Sequence, residues 1–314
     1  MVEFVIHPGF VKTGTTFFQE NIIPNIKNTK SIGKPYQDEN KTQIEIKKII
    51  YSKKNFSNQK ISKISKEILN EINKKKLKRI ILSDEAFLDS EFYNPKNNFN
   101  NLEKLILQIS KKNKLKIRFV ITVRNQPNII ISRFAYLYPK FKKKYYTFEN
   151  YININININK KSYFFQSLKY YEFYRYLKKR FKCEVILLPV ELLENNKKKY
   201  IAVLKHLFGQ DIKYNKIEFF KKNVNSKNLN FYLKKGNYWH DYYIFLNSLK
   251  KNFPLKYLKI IPFRSKIKKF LYKKIKYNKT PNFIKHSNNS YKKIYNFYKS
   301  DNKKLYGRIK INYL

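Results

Sequence analysis

Residues 4–16 read Phe4-Val5-Ile6-His7-Pro8-Gly9-Phe10-Val11-Lys12-Thr13-Gly14-Thr15-Thr16, and this stretch decides the fold. The apolar run predicts a buried strand, Gly9 to Gly14 a loop, and Thr15 and Thr16 the start of a helix. The chain has only six glycines in 314 residues, so two of them five apart mark a loop whose backbone needs them. A strand feeding such a loop and then a helix makes an anion site. The first helical N–H groups lack partners, and the positive end of the helix dipole faces the loop.

The position of the lysine separates two kinds of anion loop. A nucleoside triphosphatase loop follows G-x-x-x-x-G-K-[ST]; Gly9, Gly14 and Thr16 fit it, but Thr15 stands where its lysine belongs. Here Lys12 precedes the second glycine by two residues. The order Lys12-Thr13-Gly14-Thr15-Thr16 instead resembles the 5′-phosphosulfate loop, P-K-[ST]-G-T-[ST], of sulfotransferases that use 3′-phosphoadenosine 5′-phosphosulfate, with Val11 replacing the proline. A second stretch, Ile117-Arg118-Phe119-Val120-Ile121-Thr122-Val123-Arg124-Asn125-Gln126-Pro127 followed by Ser132, is similar to the family's 3′-phosphate motif, R-[DN]-P-x-x-x-x-x-S. Gln126 is inserted before the proline, while the interval from Arg124 to Ser132 is kept. Arg124 would offer a forked cation to a phosphate dianion, and Ser132 a hydroxyl donor.

Looser likeness runs through the rest of the chain. Cys183 to Leu193 is similar to the family's strand and "yE-x-L" turn, and His206-Leu207-Phe208-Gly209 to its "FLG" helix end. Residues 219–226, with Lys222 and Asn223, resemble the late basic loop that closes over the nucleotide. Tyr298 to Leu305 resembles the terminal "y-x-x-s-N-x-x-L" of bacterial members. The resemblance implies a P-loop-related α/β fold with a central parallel sheet flanked by helices. It also implies sulfuryl transfer without a metal from 3′-phosphoadenosine 5′-phosphosulfate to a hydroxyl or amine, the nearest likeness being to enzymes that sulfate saccharides.

On that reading the backbone N–H groups and hydroxyls of Thr13, Gly14, Thr15 and Thr16 hold the 5′-phosphate, and Lys12 sits near the bridging oxygen where charge develops. The base is Glu85, at the end of the Ile80-Ile81-Leu82 strand, with Asp84 and His7 as alternatives. The rival enzyme class is a P-loop kinase or ATPase using Mg-ATP, for which Ile80 to Glu85 imitates a Walker B strand.

The formal charge of +48 comes from 69 Lys and Arg against 21 Asp and Glu. Lysine, asparagine, isoleucine, tyrosine and phenylalanine are overused together, the pattern of an A+T-rich coding sequence, so much of the charge is mutational drift. It still raises the potential around any cleft and favours contact with polyanions or an anionic membrane surface. No zinc ligand set, RNP-type motif or basic-aromatic repeat points to a dedicated nucleic-acid function, which stays as a second, non-catalytic alternative. One cysteine, Cys183, excludes an intrachain disulfide and is expected in the core. The strand close to Met1 and the lack of an apolar run of about 20 residues lead to the expectation of a cytoplasmic enzyme without signal peptide or transmembrane helix.

Periodicity supplies the remaining elements. A helix over residues 15–23 is bent or ended by Pro24; Ile61, Ile64, Ile68, Leu69 and Ile72 form one helical stripe; residues 77–82 make a strand. Helices are expected over 102–110, 163–181 and 197–208, with strands at Ile117 and Val185. Tyr151 to Asn159, alternating Ile and Asn, reads as a mobile loop or edge element, with a strand as the alternative. The expected division is an α/β core over 1–230 carrying the nucleotide site, and a basic, aromatic-rich helical region over 231–314 packed on it.

Overall fold

Among the described residues five parallel strands form one sheet: β1 (Val2–His7), β2 (Thr29–Gly33), β3 (Arg79–Ser83), β4 (Leu115–Val123) and β5 (Glu184–Pro189), in the spatial order β2-β3-β1-β4-β5. A computed structural model of the chain describes residues 2–33, 45–46, 56–88, 95–111, 114–141, 147–156, 162–219 and 288–309. Within them the α/β architecture read from the sequence is present, with a parallel sheet flanked by helices. The inner strands are buried on both faces, which is why they read as near-continuous apolar runs.

The helices are α1 (Thr15–Phe17), α2 (Asn58–Lys75), α3 (Pro95–Ser110), α4 (Gln126–Phe141), α5 (Phe148–Ile156), α6 (Tyr163–Ser167), α7 (Tyr170–Phe181), α8 (Glu191–Asn195), α9 (Lys197–Phe208) and α10 (Asn288–Ile309). Helix α1 runs on as a π turn, Phe18–Ile22, and a 3₁₀ turn, Ile23–Asn25. Pro24 has no N–H to continue the ladder, so the bend expected at that residue takes the form of these changes in hydrogen-bond spacing. The chain divides into two compact units. One comprises Met1–Ile129, Asn155–Lys222 and Ile294–Leu314; the other comprises Ile130–Ile154 and Asn223–Lys293.

One sheet face of the first unit is layered along the strands, because side chains two residues apart share a face. At the amino ends, Glu3 Oε2 pairs with Arg79 Nε at 2.5 Å and Glu3 Oε1 with Arg118 Nη1 at 2.8 Å, while Arg118 Nε meets Glu184 Oε2 at 2.7 Å. Charges thus alternate across β3, β1, β4 and β5. Two residues on, Val5, Ile81 and Val120 lie in an apolar layer together with Phe18 and Ile22 and with Tyr200, Leu204 and Phe208 of α9. Two residues further come His7, Ser83 and Thr122, all buried and all polar.

Three expectations are corrected. The Ile-Asn repeat is neither loop nor strand as far as it is described: α5 buries Phe148, Tyr151, Ile152 and Asn155, a helical stripe of spacing three, four and seven. Within the second unit, Phe134 packs on Phe148 and Tyr151 with ring centroids 5.3 and 5.1 Å apart. The single helix expected over 163–181 is two, α6 and α7. The break is held by the Asp301 carboxylate, which accepts the N–H groups of Tyr171 at 3.0 Å and Glu172 at 3.1 Å in the first turn of α7. Cys183 precedes β5 and is half-buried rather than in the core; burial pushes its thiol up to about 11.

Candidate functional site

The connections leaving β1 and β4 run in opposite directions, β1 toward β2 and β4 toward β5, so a crevice opens between the carboxyl ends of these adjacent strands. Open parallel sheets bind their ligands at such a switch point. The loop from Pro8 to Gly14 and the end of β4 at Arg124 both emerge there.

The loop is shaped by its glycines. Gly9 has φ +109°, and a Cβ there would lie 3.1 Å from Cα and Cβ of Glu85; Gly14 has φ +79°, and a Cβ would lie 2.8 Å from Val190 Cγ2. Both positions reject side chains on two counts, backbone conformation and space. Lys12, between them, also has positive φ, at +64°. The first helical bond runs from Phe18 N–H to the Gly14 carbonyl at 3.2 Å, so the N–H groups of Thr15, Thr16 and Phe17 precede the ladder at the loop's edge.

Beneath the loop lies the buried polar layer. His7 Nδ1 is 2.7 Å from Ser83 Oγ and its Nε2 is 3.3 Å from Thr122 Oγ1, with the ring 4.4 Å from that of Phe18. Thr13 Oγ1 donates to the Phe10 carbonyl at 2.5 Å and meets Thr122 Oγ1 at 2.8 Å. Its hydroxyl therefore shapes the loop from below, and Thr16, which is exposed, is the threonine open to solvent. Burial lowers the His7 pKa to about 3, against the pull of the Glu85 charge, so the imidazole is neutral at ordinary pH and a weak base.

Of the carboxylates, Asp84 is buried and its N–H donates to the His7 carbonyl at 3.1 Å, whereas Glu85 is half-buried. Gln19 Nε2 reaches Ser83 Oγ at 3.1 Å and Glu85 Oε2 at 3.4 Å, tying the acid to the helix that follows the loop. Across the crevice Arg124 Nη1 donates to the Lys12 carbonyl at 3.3 Å. The structure thus brings together His7, Lys12, Thr13, Gly14, Thr15, Thr16, Asp84, Glu85 and Arg124 at one sheet edge.

Ser132 is half-buried in α4, on the part of that helix assigned to the second unit. Lys222 and Asn223 lie outside the described residues. Sequence reasoning missed Gln19, Ser83 and Thr122, and it missed Tyr170 and Asn302, whose bonds to the Arg124 segment are described below. Each acts on a partner far away in the chain, so no local pattern shows its role, even where the residue stands in a segment already singled out, as Asn302 does in Tyr298 to Leu305.

No group of three or more His, Cys, Asp and Glu among the described residues has the arrangement to hold a metal ion. Among the same residues no helix is long and apolar enough to cross a membrane. Comparison of the chain with protein-family models, curated proteins and solved structures finds no match in any of the three.

Proposed function

We propose that the chain is a sulfotransferase that moves a sulfuryl group from 3′-phosphoadenosine 5′-phosphosulfate to a hydroxyl or amine, the resemblance implying a saccharide acceptor. The observation that carries this reading is the hydrogen bond from Arg124 to the Lys12 carbonyl at 3.3 Å, which joins the two phosphate motifs across 112 residues. It lies at the switch point where a nucleotide is expected in an open parallel sheet. Gly9 and Gly14 support it further, since positive φ at both and the close approach of Glu85 and Val190 fix the shape of the loop.

In this reading the acceptor oxygen attacks sulfur as the bond from sulfur to the bridging oxygen breaks, and the acceptor's proton passes to Glu85. Lys12 and the N–H groups before the α1 ladder offset the charge left on the departing phosphate, a type of stabilisation worth about 3 kcal/mol per well-placed donor. Glu85 is preferred over His7, both of whose nitrogens are engaged in the core, and over the buried Asp84. The Mg-ATP reading is disfavoured because Thr15, buried at the first helical position, stands where a triphosphate loop carries its lysine.

Thermal unfolding with 3′,5′-bisphosphoadenosine or with Mg-ATP tests the choice. The bisphosphate is expected to raise the midpoint more, and sulfuryl transfer is expected to persist in excess chelator. Greater stabilisation by Mg-ATP refutes the reading.

A further inference from the structure

The tripeptide Arg124-Asn125-Gln126, between β4 and the first turn of α4, is held by three residues from distant parts of the chain. The Tyr170 hydroxyl donates to the Arg124 carbonyl at 2.6 Å and accepts the Arg124 N–H at 3.4 Å. Glu191 Oε1 accepts the Asn125 N–H at 2.8 Å. Asn302 exchanges two bonds with Gln126, accepting from Nε2 at 2.7 Å and donating to Oε1 at 3.2 Å, with both side chains buried.

These holders are themselves fixed. Tyr170 opens α7, whose next two N–H groups donate to Asp301, the neighbour of Asn302 in α10. The Tyr170 ring lies 5.4 Å from that of Phe10 in the anion loop. Burial raises the tyrosine's pKa well above its ordinary value, so the hydroxyl keeps the proton it donates.

A guanidinium on a flexible stem is aimed only as well as its own backbone is held, and a fork that meets a phosphate tolerates about 0.5 Å of error. We propose that Tyr170, Glu191 and Asn302 are positioning residues which, by fixing the backbone of Arg124 to Gln126, set a preference for nucleotides carrying a 3′-phosphate. The proposal rests on the reading of Arg124 as the 3′-phosphate ligand. It also accounts for Gln126: the residue inserted in the motif is the one that α10 grips.

Calorimetric titration of the full chain with 3′,5′-bisphosphoadenosine and with 5′-AMP gives the preference as a ratio of affinities. Glu191→Ala is expected to lower that ratio about tenfold, since the amide of Asn125 loses its acceptor and the arginine its aim. Glu191→Gln loses the same charge but keeps an accepting oxygen, so its ratio is expected to stay within about twofold of the parent's. Tyr170→Phe keeps the ring against Phe10 and removes only the hydroxyl; it is expected to behave like Glu191→Ala.

An unchanged ratio in both Glu191→Ala and Tyr170→Phe overturns the proposal. So does equal loss in Glu191→Gln and Glu191→Ala, which would report charge alone, or an equal loss of affinity for both nucleotides. A parent that shows no preference for the bisphosphate overturns the reading of Arg124, and the proposal falls with it. That failure is visible before any variant is made.

Discussion

Lowering the pH should weaken folding through His7. Its pKa is about 3 in the folded chain because burial disfavours the imidazolium, against an ordinary value of 6.5 once unfolded. Between these values the unfolded chain binds the extra proton, so stability rises with pH: its contribution is complete above the unfolded pKa and is lost as the pH falls toward the folded one. With one proton at stake, the loss between about pH 7.5 and pH 5 is about 2 kcal/mol. Asp301, raised by burial, acts in the opposite sense, and comparison with a His7 variant cancels it. Glu184 is held below its usual range, where burial pushing it up is outweighed by the His206 hydrogen bond and Arg118; the acid is therefore already ionised.

Urea unfolding at several pH values, for the parent and for His7→Asn, measures the effect. The variant keeps a polar group near Ser83 Oγ, and the parent should lose about 2 kcal/mol more than the variant over that range. Equal slopes would show that His7 is accessible to protons in the folded state, refuting the burial argument and reopening its candidacy as the base.

If the chain is the proposed sulfotransferase, Lys12→Ala is expected to lower sulfuryl transfer about a hundredfold or more with the bisphosphate still bound, because on that reading the contact serves mainly the transition state; rates and titrations on one preparation check both halves. Arg124→Ala should cost about ten- to a hundredfold in affinity for 3′,5′-bisphosphoadenosine and much less for 5′-AMP, as calorimetry will read. Glu3→Gln leaves Arg79 and Arg118 facing each other, each about nine-tenths buried, and should lower stability to urea by about 3 kcal/mol.

How much of the fold the chain reveals locally depends on where each element gets its stability. Strands β1, β3, β4 and β5 are buried on faces whose apolar side chains are visible one strand at a time. Strand β2 was not foreseen, because Thr29–Gly33 holds one large apolar side chain, Ile32, and gains strand character by pairing with β3. The same limit misread α5. Its alternation of Ile and Asn has period two, but the stripe that buries the helix begins at Phe148 and Tyr151, ahead of the repeat. In α6 and α7 the break is made by Asp301, about 130 residues later, so local propensity could not show it.

The site divides along the same line. Lys12, Gly14 and Arg124 carry spacing that can be read locally, because anion loops are built from consecutive backbone groups. Their adjacency is different in kind, since it requires the order β2-β3-β1-β4-β5. Once that order is known, the period of two does the rest: Val5 and His7 pair with Ile81 and Ser83 on β3, and on β4 Val120 and Thr122 share the face of Arg118, the partner of Val5. Each strand passes from an apolar layer to a polar layer and then to the residues of the crevice. The likeness of the terminal segment also acquires a cause. Tyr298, Asp301, Asn302 and Leu305 form the buried stripe of α10: Tyr298 donates to the Phe165 carbonyl at 2.9 Å, Asp301 caps α7, and Asn302 grips Gln126. A pattern that in sequence looks like a remote tag is, in the folded chain, the surface by which the last helix holds the segment carrying Arg124.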